Sequence, residues 1–336
     1  MFTLIDLHRR IIAAPMAGGP STPALAHAVT QAGGLGFLAG GYKTSSQIVE
    51  EIETVRASGT DLFGVNLFVP EREPCDLVAA AHYREQLAPL ASAYDVELPQ
   101  PQHDDDGWKA KIEVLLDLAV PVVSFTFGCP TADVIRRFHS TGTATFVSVT
   151  TLDEALHATA AGATGLIVQG PAAGGHRATF RASREVPQQS LEDLHAEVRA
   201  KVDLEIAVAG GISTADDVAR WLEHADAVQL GTAFLDADEA GTKPAHRAAL
   251  RDARFTRTAM TSAFSGRMAR GLANEFMQRF DPVAPISYPA VNQLTAPIRA
   301  AAARSGNAEH MSLWAGTGWR SAATGPAEEI VGNLLP

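Results

Sequence analysis

Eight short apolar runs, separated by stretches of helical pattern, constrain the fold more than any other feature of this chain. They are Ile11–Met16, Leu35–Ala39, Phe63–Phe68, Val120–Phe127, Ala144–Val149, Gly165–Gln169, Glu205–Ala209 and Ala227–Leu230. A strand with one wet face alternates polar and apolar residues. A strand covered on both faces reads as a continuous apolar run, as in parallel sheets. Helix signals lie between the runs. Thr22 before Pro23 predicts an N-cap with proline at the first helical position, and Gly33 ends that helix. Thr44 with Gln47, and Thr151 with Glu154, read as capping boxes, with Gly59 and Gly162 past the ends. Thr131 opens a helix that Gly142 stops; Ser213 opens Ala215–Leu222, whose first turn carries Asp216 and Asp217. Eight strands alternating with helices predict an α/β fold, a (β/α)8 TIM barrel, with an open doubly wound sheet as the competitor.

The chain has 336 residues, more than the roughly 250 of a plain barrel. Two regions break the rhythm. Residues 70–115 are long for a crossover and carry the polar patch Pro99–Gly107. Residues 237–304 are rich in Arg and Ala and read as helical in pieces. The expected division is a barrel of 1–236 and 305–336 with a smaller, mostly helical lid or substrate domain of 237–304.

A net charge of −11 repels phosphate backbones, which argues against nucleic acid and for a small-molecule partner. Cys75 and Cys129 form no CxxC pattern, as in a reducing compartment. The apolar run after Arg9 and Arg10 is too short for a signal peptide and is broken by Pro15. No run of about 18 apolar residues offers a membrane span. A cytoplasmic protein is expected, of unspecified oligomeric state.

In a barrel, function sits at the carboxyl ends of the strands. Glycines cluster there after the last three runs: Gly174-Gly175, Gly210-Gly211 and Gly231. Glycine lets backbone N–H groups approach a ligand, and such groups make anion sites, so a phosphate is expected. Asn66 and Gln169 are strand-end amides suited to the polar edge of a flavin, and Met16 can pack on its face. One phosphate site favours FMN over NAD. The match of Gly34–Ala39 to the dinucleotide fingerprint spans an apolar run and is read as accidental. His176 follows two glycines at a strand end and is the candidate base. His103 with Asp104, Asp105 and Asp106 reads as a solvated loop, and no metal motif, Walker loop or hydrolase elbow is present.

At these residues the sequence resembles the nitronate monooxygenases. The matching segments include APMAGG (14–19), AVTQAGGLGFLAGGYKT (28–44), FGVNLF (63–68), VSFTFG (123–128), QGPAAGGHR (169–177), AVAGGI (207–212), QLGTAFL (229–235), SYPAVNQLTAPIR (287–299) and LWAGTG (313–318). They run in the family's order over nearly the whole chain, and LWAG points to its class I branch. The resemblance implies an FMN enzyme that oxidises propionate 3-nitronate and other alkyl nitronates with oxygen. It implies FMN contacts at Asn66, Gln169, Gly174, Gly210, Gln229, Leu230, Gly231 and Thr232, and a catalytic base at His176. Tyr288 is a candidate pocket residue, with a core aromatic as the alternative. Three positions depart from the family pattern: Ala172 for Glu, Ala178 for Gly, and Thr126, a candidate substrate contact, for His. The alternatives are an FMN-dependent NAD(P)H:quinone or enoyl reductase and, more distantly, a non-catalytic flavin-binding protein.

Overall fold

The computed structural model describes residues 1–71 and 73–335. All eight runs form strands: β1 (Ile11–Ala13), β2 (Phe37–Ala39), β3 (Gly64–Phe68), β4 (Val122–Thr126), β5 (Ala144–Val149) and β6 (Gly165–Gln169), then, beyond the short β7 (Gly175–His176), β8 (Glu205–Ala209) and β9 (Ala227–Leu230). They pair in parallel in the order β1-β9-β8-β6-β5-β4-β3-β2. A parallel bridge between Ile12 and Leu35 joins the two ends, with the Ala13 N–H donating to the Leu35 carbonyl at 3.0 Å. The ring is therefore a barrel and not an open sheet.

Helices α1 (Pro23–Gln31), α2 (Ser45–Ala57), α4 (Trp108–Asp117), α5 (Ala132–Ser140), α6 (Leu152–Ala161), α7 (Leu191–Arg199) and α8 (Ala215–Leu222) follow successive strands of the ring. α3 (Leu77–Ala93) is inserted ahead of α4. The helix that follows β9 on the barrel wall is α12 (Ala327–Asn333), whose Ile330 and Val331 join the same core as Val29 of α1. Thr44 and Gln47 form the capping box in full. Thr151 caps α6, but the Glu154 carboxylate turns instead to the N–H groups of Thr150 and Phe180. The cap of α8 is Thr214, one residue beyond Ser213.

Between β9 and α12 lie α9 (Pro244–Arg251), β10 (Thr258–Thr261), β11 (Ala269–Leu272), α10 (Glu275–Phe280) and α11 (Ala290–Arg304). This stretch, expected to be helical, thus carries two strands as well. They form a small antiparallel sheet, β10-β11-β7, in which β11 pairs with the glycine–histidine segment after β6. A second apolar cluster joins Tyr83 and Leu87 of α3 to Phe276 of α10 and Leu294 of α11. Among the described residues no helix is long and apolar enough to cross a membrane.

Strand period decides what the barrel encloses, because alternate residues face its axis. In the lower layers these are Ile12, Phe37, Val122, Phe146 and Ile167, which pack with Leu4 and Leu7 of the N-terminal segment. The Leu4 N–H donates to both carboxylate oxygens of Glu205, at 2.9 and 3.0 Å, and so fastens this plug to the bottom of β8. Two residues further along the same rows the side chains become polar: Asn66, Ser148, Gln169 and Gln229 line a cavity at the carboxyl end.

The lower layer is filled ring against backbone. A Cβ on Gly165 would stand 2.4 Å from the Phe146 ring and 2.9 Å from the Glu205 carbonyl. Gly165→Val should therefore overpack the barrel and cost about 1–3 kcal/mol, measured by chemical denaturation. A change under about 0.5 kcal/mol would contradict this packing account.

Candidate active site

The cavity above the polar layer has a volume of about 450 Å³. It collects nearly every residue singled out in the sequence. Met16, Asn66, Thr126, Gln169 and His176 line it, as do Gly174, Gly175, Gly210, Gly211 and the run Gln229–Thr232. Tyr288 is the exception. It lines a smaller adjoining cavity of about 50 Å³, which shares Tyr42, Phe68 and Asn292 with the larger one. Its ring centroid lies 6.3 Å from that of His176 and 5.4 Å from that of Phe127, so it packs behind His176.

His176 is held by its backbone. It pairs with Ala269 of β11, and its carbonyl accepts from Gln169 Nε2 at 3.1 Å. Gln169 Oε1 in turn accepts from Arg177 at 3.1 Å and from the Ala178 N–H at 2.9 Å. Most of the Gln169 amide thus ties the loop together. The His176 ring meets Phe127 and Trp314 at centroid distances of 5.4 and 5.5 Å. Its Nε2 lies 2.8 Å from Ser265 Oγ. That hydroxyl also lies 3.1 Å from the Arg267 carbonyl; donating there, it accepts from His176 Nε2–H and leaves Nδ1 basic, whereas donating to Nε2 fixes the opposite tautomer.

Burial, with the charges of Arg267 and Arg299 nearby, pushes the His176 pKa down to about 3. The ring is neutral through the physiological range. Arg267 itself is buried, paired with Glu71 at 2.6 Å, and stacked 4.1 Å over the Phe127 ring. It supports the aromatic wall from behind.

The other polar groups divide between support and service. Asn66 Nδ2 donates to Ser124 Oγ at 2.9 Å and to Thr126 Oγ1 at 3.0 Å. Thr126 thus braces Asn66. Gln229 Oε1 is buried with no hydrogen-bond partner. The N–H groups of Gly210, Gly211, Gly231 and Thr232 find no acceptor among the described residues. Gly174 crosses the backbone of the LWAG segment, and a Cβ there would stand 2.4 Å from the Gly316 N. The Gly316 N–H donates to Thr232 Oγ1 at 2.9 Å, and the Thr317 N–H to the Ala172 carbonyl at 3.1 Å. Three loops and the late segment are sewn into one wall of bare amides. An orphaned acceptor and a cluster of unused donors fit a ligand that carries a phosphate and a polar ring edge. Among the described residues no group of three metal-ligating side chains exists.

The model of the nitronate monooxygenase family matches residues 2–336. The chain belongs to that family. Its members are flavin-dependent oxidoreductases. A probable nitronate monooxygenase of Staphylococcus aureus (strain MSSA476) is 34% identical, over 99% of this chain and 95% of its own. The crystal structure of a nitroalkane oxidase from Streptomyces ansochromogenes superposes with a TM-score of 0.95 at 49% identity, over 98% of this chain and 96% of that one. FabK from Thermotoga maritima, at 24% identity and a TM-score of 0.75, covers 98% of this chain and 93% of its own and shares the fold.

Several residues of this family member's cavity carried no sequence signal. Ser265 and Lys243 stand in segments without a motif. Phe127, Arg299 and Trp314 sit inside recognisable segments, but the direction of their side chains was not legible. The acidic patch also does more than face solvent. Asp106 pairs with the buried Lys111 at 2.6 Å and accepts from the Tyr42 N–H at 3.0 Å, and Lys111 donates to the Gly40 carbonyl at 2.9 Å. Together they fix the turn that brings Tyr42 to the cavity, at a φ of 66°.

The depressed His176 pKa has a consequence for stability. Protons bind the unfolded histidine, near pH 6.5, more readily than the folded one. Its stabilising effect is complete above that value and is lost as pH falls toward 3. Between pH 7 and 5 the wild type should lose about 2 kcal/mol more stability than His176→Gln, measured by urea unfolding. Equal losses would mean that His176 titrates normally.

Proposed function

We propose that this chain is an FMN-dependent nitronate monooxygenase, oxidising alkyl nitronates such as propionate 3-nitronate with oxygen to a carbonyl compound and nitrite. The observation that carries this reading is the pairing of a neutral, enclosed histidine with a cavity free of carboxylates: the charged side chains among its described lining residues are Lys243 and Arg299. That surface suits an anion, in a chain whose net charge is −11.

In this reading the amides of Gly210, Gly211, Gly231 and Thr232 hold the FMN phosphate. Gln229, Asn66 and Gln169 meet polar atoms of the flavin, and Met16 packs on its face. Gly174 and Gly175 allow close approach. FMN when bound supplies the one-electron chemistry between nitronate and oxygen. His176 Nδ1 removes the α-proton of a neutral nitroalkane, while Ser265 holds the opposite nitrogen as N–H. Phe127 and Trp314 keep the ring dry and oriented. We assign α3 and residues 237–304 to a unit that closes the cavity from above, since α3 and α11 share one core.

Purified protein given an alkyl nitronate in air should consume oxygen and release nitrite without NAD(P)H. An absolute requirement for NAD(P)H would place it with the quinone or enoyl reductases. His176→Asn should keep its flavin and lose about 100-fold or more in kcat/KM on the neutral nitroalkane, with a smaller loss on the preformed nitronate. Full activity on both forms would remove His176 from the mechanism.

A further inference from the structure

We propose that Arg299 is the fixed counter-ion of the substrate, the residue that makes this cavity prefer a nitronate anion to the neutral nitroalkane. The proposal rests on the nitronate reading above, but its decisive measurement does not.

Arg299 lies on α11, whose two faces have different work. Val291, Leu294 and Ile298 pack into the core shared with α3, while Asn292, Ala296 and Arg299 face the cavity. The guanidinium is held in place by neutral acceptors. Its Nε donates to Thr295 Oγ1 at 3.0 Å, and one Nη donates to Asn292 Oδ1 at 2.7 Å and to the Asn292 carbonyl at 3.1 Å. The other Nη has a long contact, 3.4 Å, to Ser312 Oγ. No carboxylate pairs with Arg299 among the described residues, although Asp and Glu outnumber Lys and Arg 38 to 27 in the chain. Arg299 is half-buried, and a cation drawn that far out of water is normally paired, because desolvation is costly. Burial pushes the Arg299 pKa down, and its charge is felt by both Tyr42 and His176. Asn292, which holds it, also lines the small adjoining cavity with Tyr288, whose ring centroid is 6.3 Å from that of His176, so Arg299 stands toward the His176 end. With His176 neutral, Arg299 and the more exposed Lys243 are the positive charges left to balance a substrate anion.

The Nη whose contact to Ser312 is long keeps N–H capacity for one substrate oxygen, beside a fixed positive charge. The two oxygens of a nitronate share its negative charge. A neutral nitroalkane offers oxygens of similar spacing with far less charge, so the arginine discriminates between them.

The test uses flavin-loaded protein and nitrate, a planar inorganic anion of the same kind. Arg299→Gln keeps hydrogen-bonding capacity toward Thr295 and removes the charge; Arg299→Lys retains the charge. Calorimetry should show nitrate bound by the wild type, about ten- to hundredfold more weakly by Arg299→Gln, and at an intermediate level by Arg299→Lys. The ratio of kcat/KM for nitronate over neutral nitroalkane should fall by a similar factor in Arg299→Gln, through KM, with flavin content and Tm unchanged. Equal nitrate affinity in wild type and Arg299→Gln overturns the proposal. So does an Arg299→Gln variant that sheds flavin yet keeps the substrate ratio once reloaded, since Arg299 would then serve the cofactor. If the wild type turns over no nitronate, the functional reading fails, and nitrate binding alone still decides the role of Arg299.

Discussion

The site depends on a rule of strand geometry: every second residue of each barrel strand must face the axis. In the lower layers that rule buries Phe37, Phe146 and Ile167 against small neighbours, and the barrel becomes a solid plug. Continued by two residues it brings Asn66, Ser148, Gln169 and Gln229 to the same axis, where protein partners hold Asn66 and Gln169 while Gln229 Oε1 is left without one. The change from apolar to polar within one row marks the floor of the cavity. It makes the scaffold and the site consecutive parts of the same strands.

Above that floor the structure is held by backbone more than by side chains. The β6 loop is clamped on three sides: by β11 through His176, by Gln169 from below, and by the LWAG segment against Gly174. This explains how a histidine on a glycine-rich loop can be rigid. It also explains why the ring is neutral. The clamp seats it among Phe127, Trp314 and Tyr288, with two arginines near enough to oppose a proton. In the proposed reaction an unprotonated His176 would leave anion binding to other groups, and that division of labour would follow from burial.

The ring was legible in the sequence because each strand is covered on both faces and reads as an apolar run. The glycine-lined wall of the cavity was legible because glycine at a strand end has few uses. The Asn66, Gln169 and Gln229 amides were conspicuous as polar residues within or at the end of apolar runs. What could not be read was anything fixed by tertiary approach. β10 and β11 were hidden in a polar, Arg-rich stretch, since a small sheet that covers a loop needs no strong alternation. Ser265 and Arg299 reach the site only through the packing of distant segments. Tyr288 was placed in the right neighbourhood but one layer back, behind His176 and beside Phe127. The role of Thr126, a bracket for Asn66, required the register of β3 on β4.

In the proposed function one cavity brings a flavin and a nitronate anion together. The most direct measurement is the visible spectrum of the purified, FMN-loaded protein mixed anaerobically with an alkyl nitronate and, separately, with NADH. The nitronate should reduce the flavin, and NADH should leave it oxidised. Rapid reduction by NADH with no response to the nitronate would contradict that reading, as would a protein that cannot be loaded with FMN.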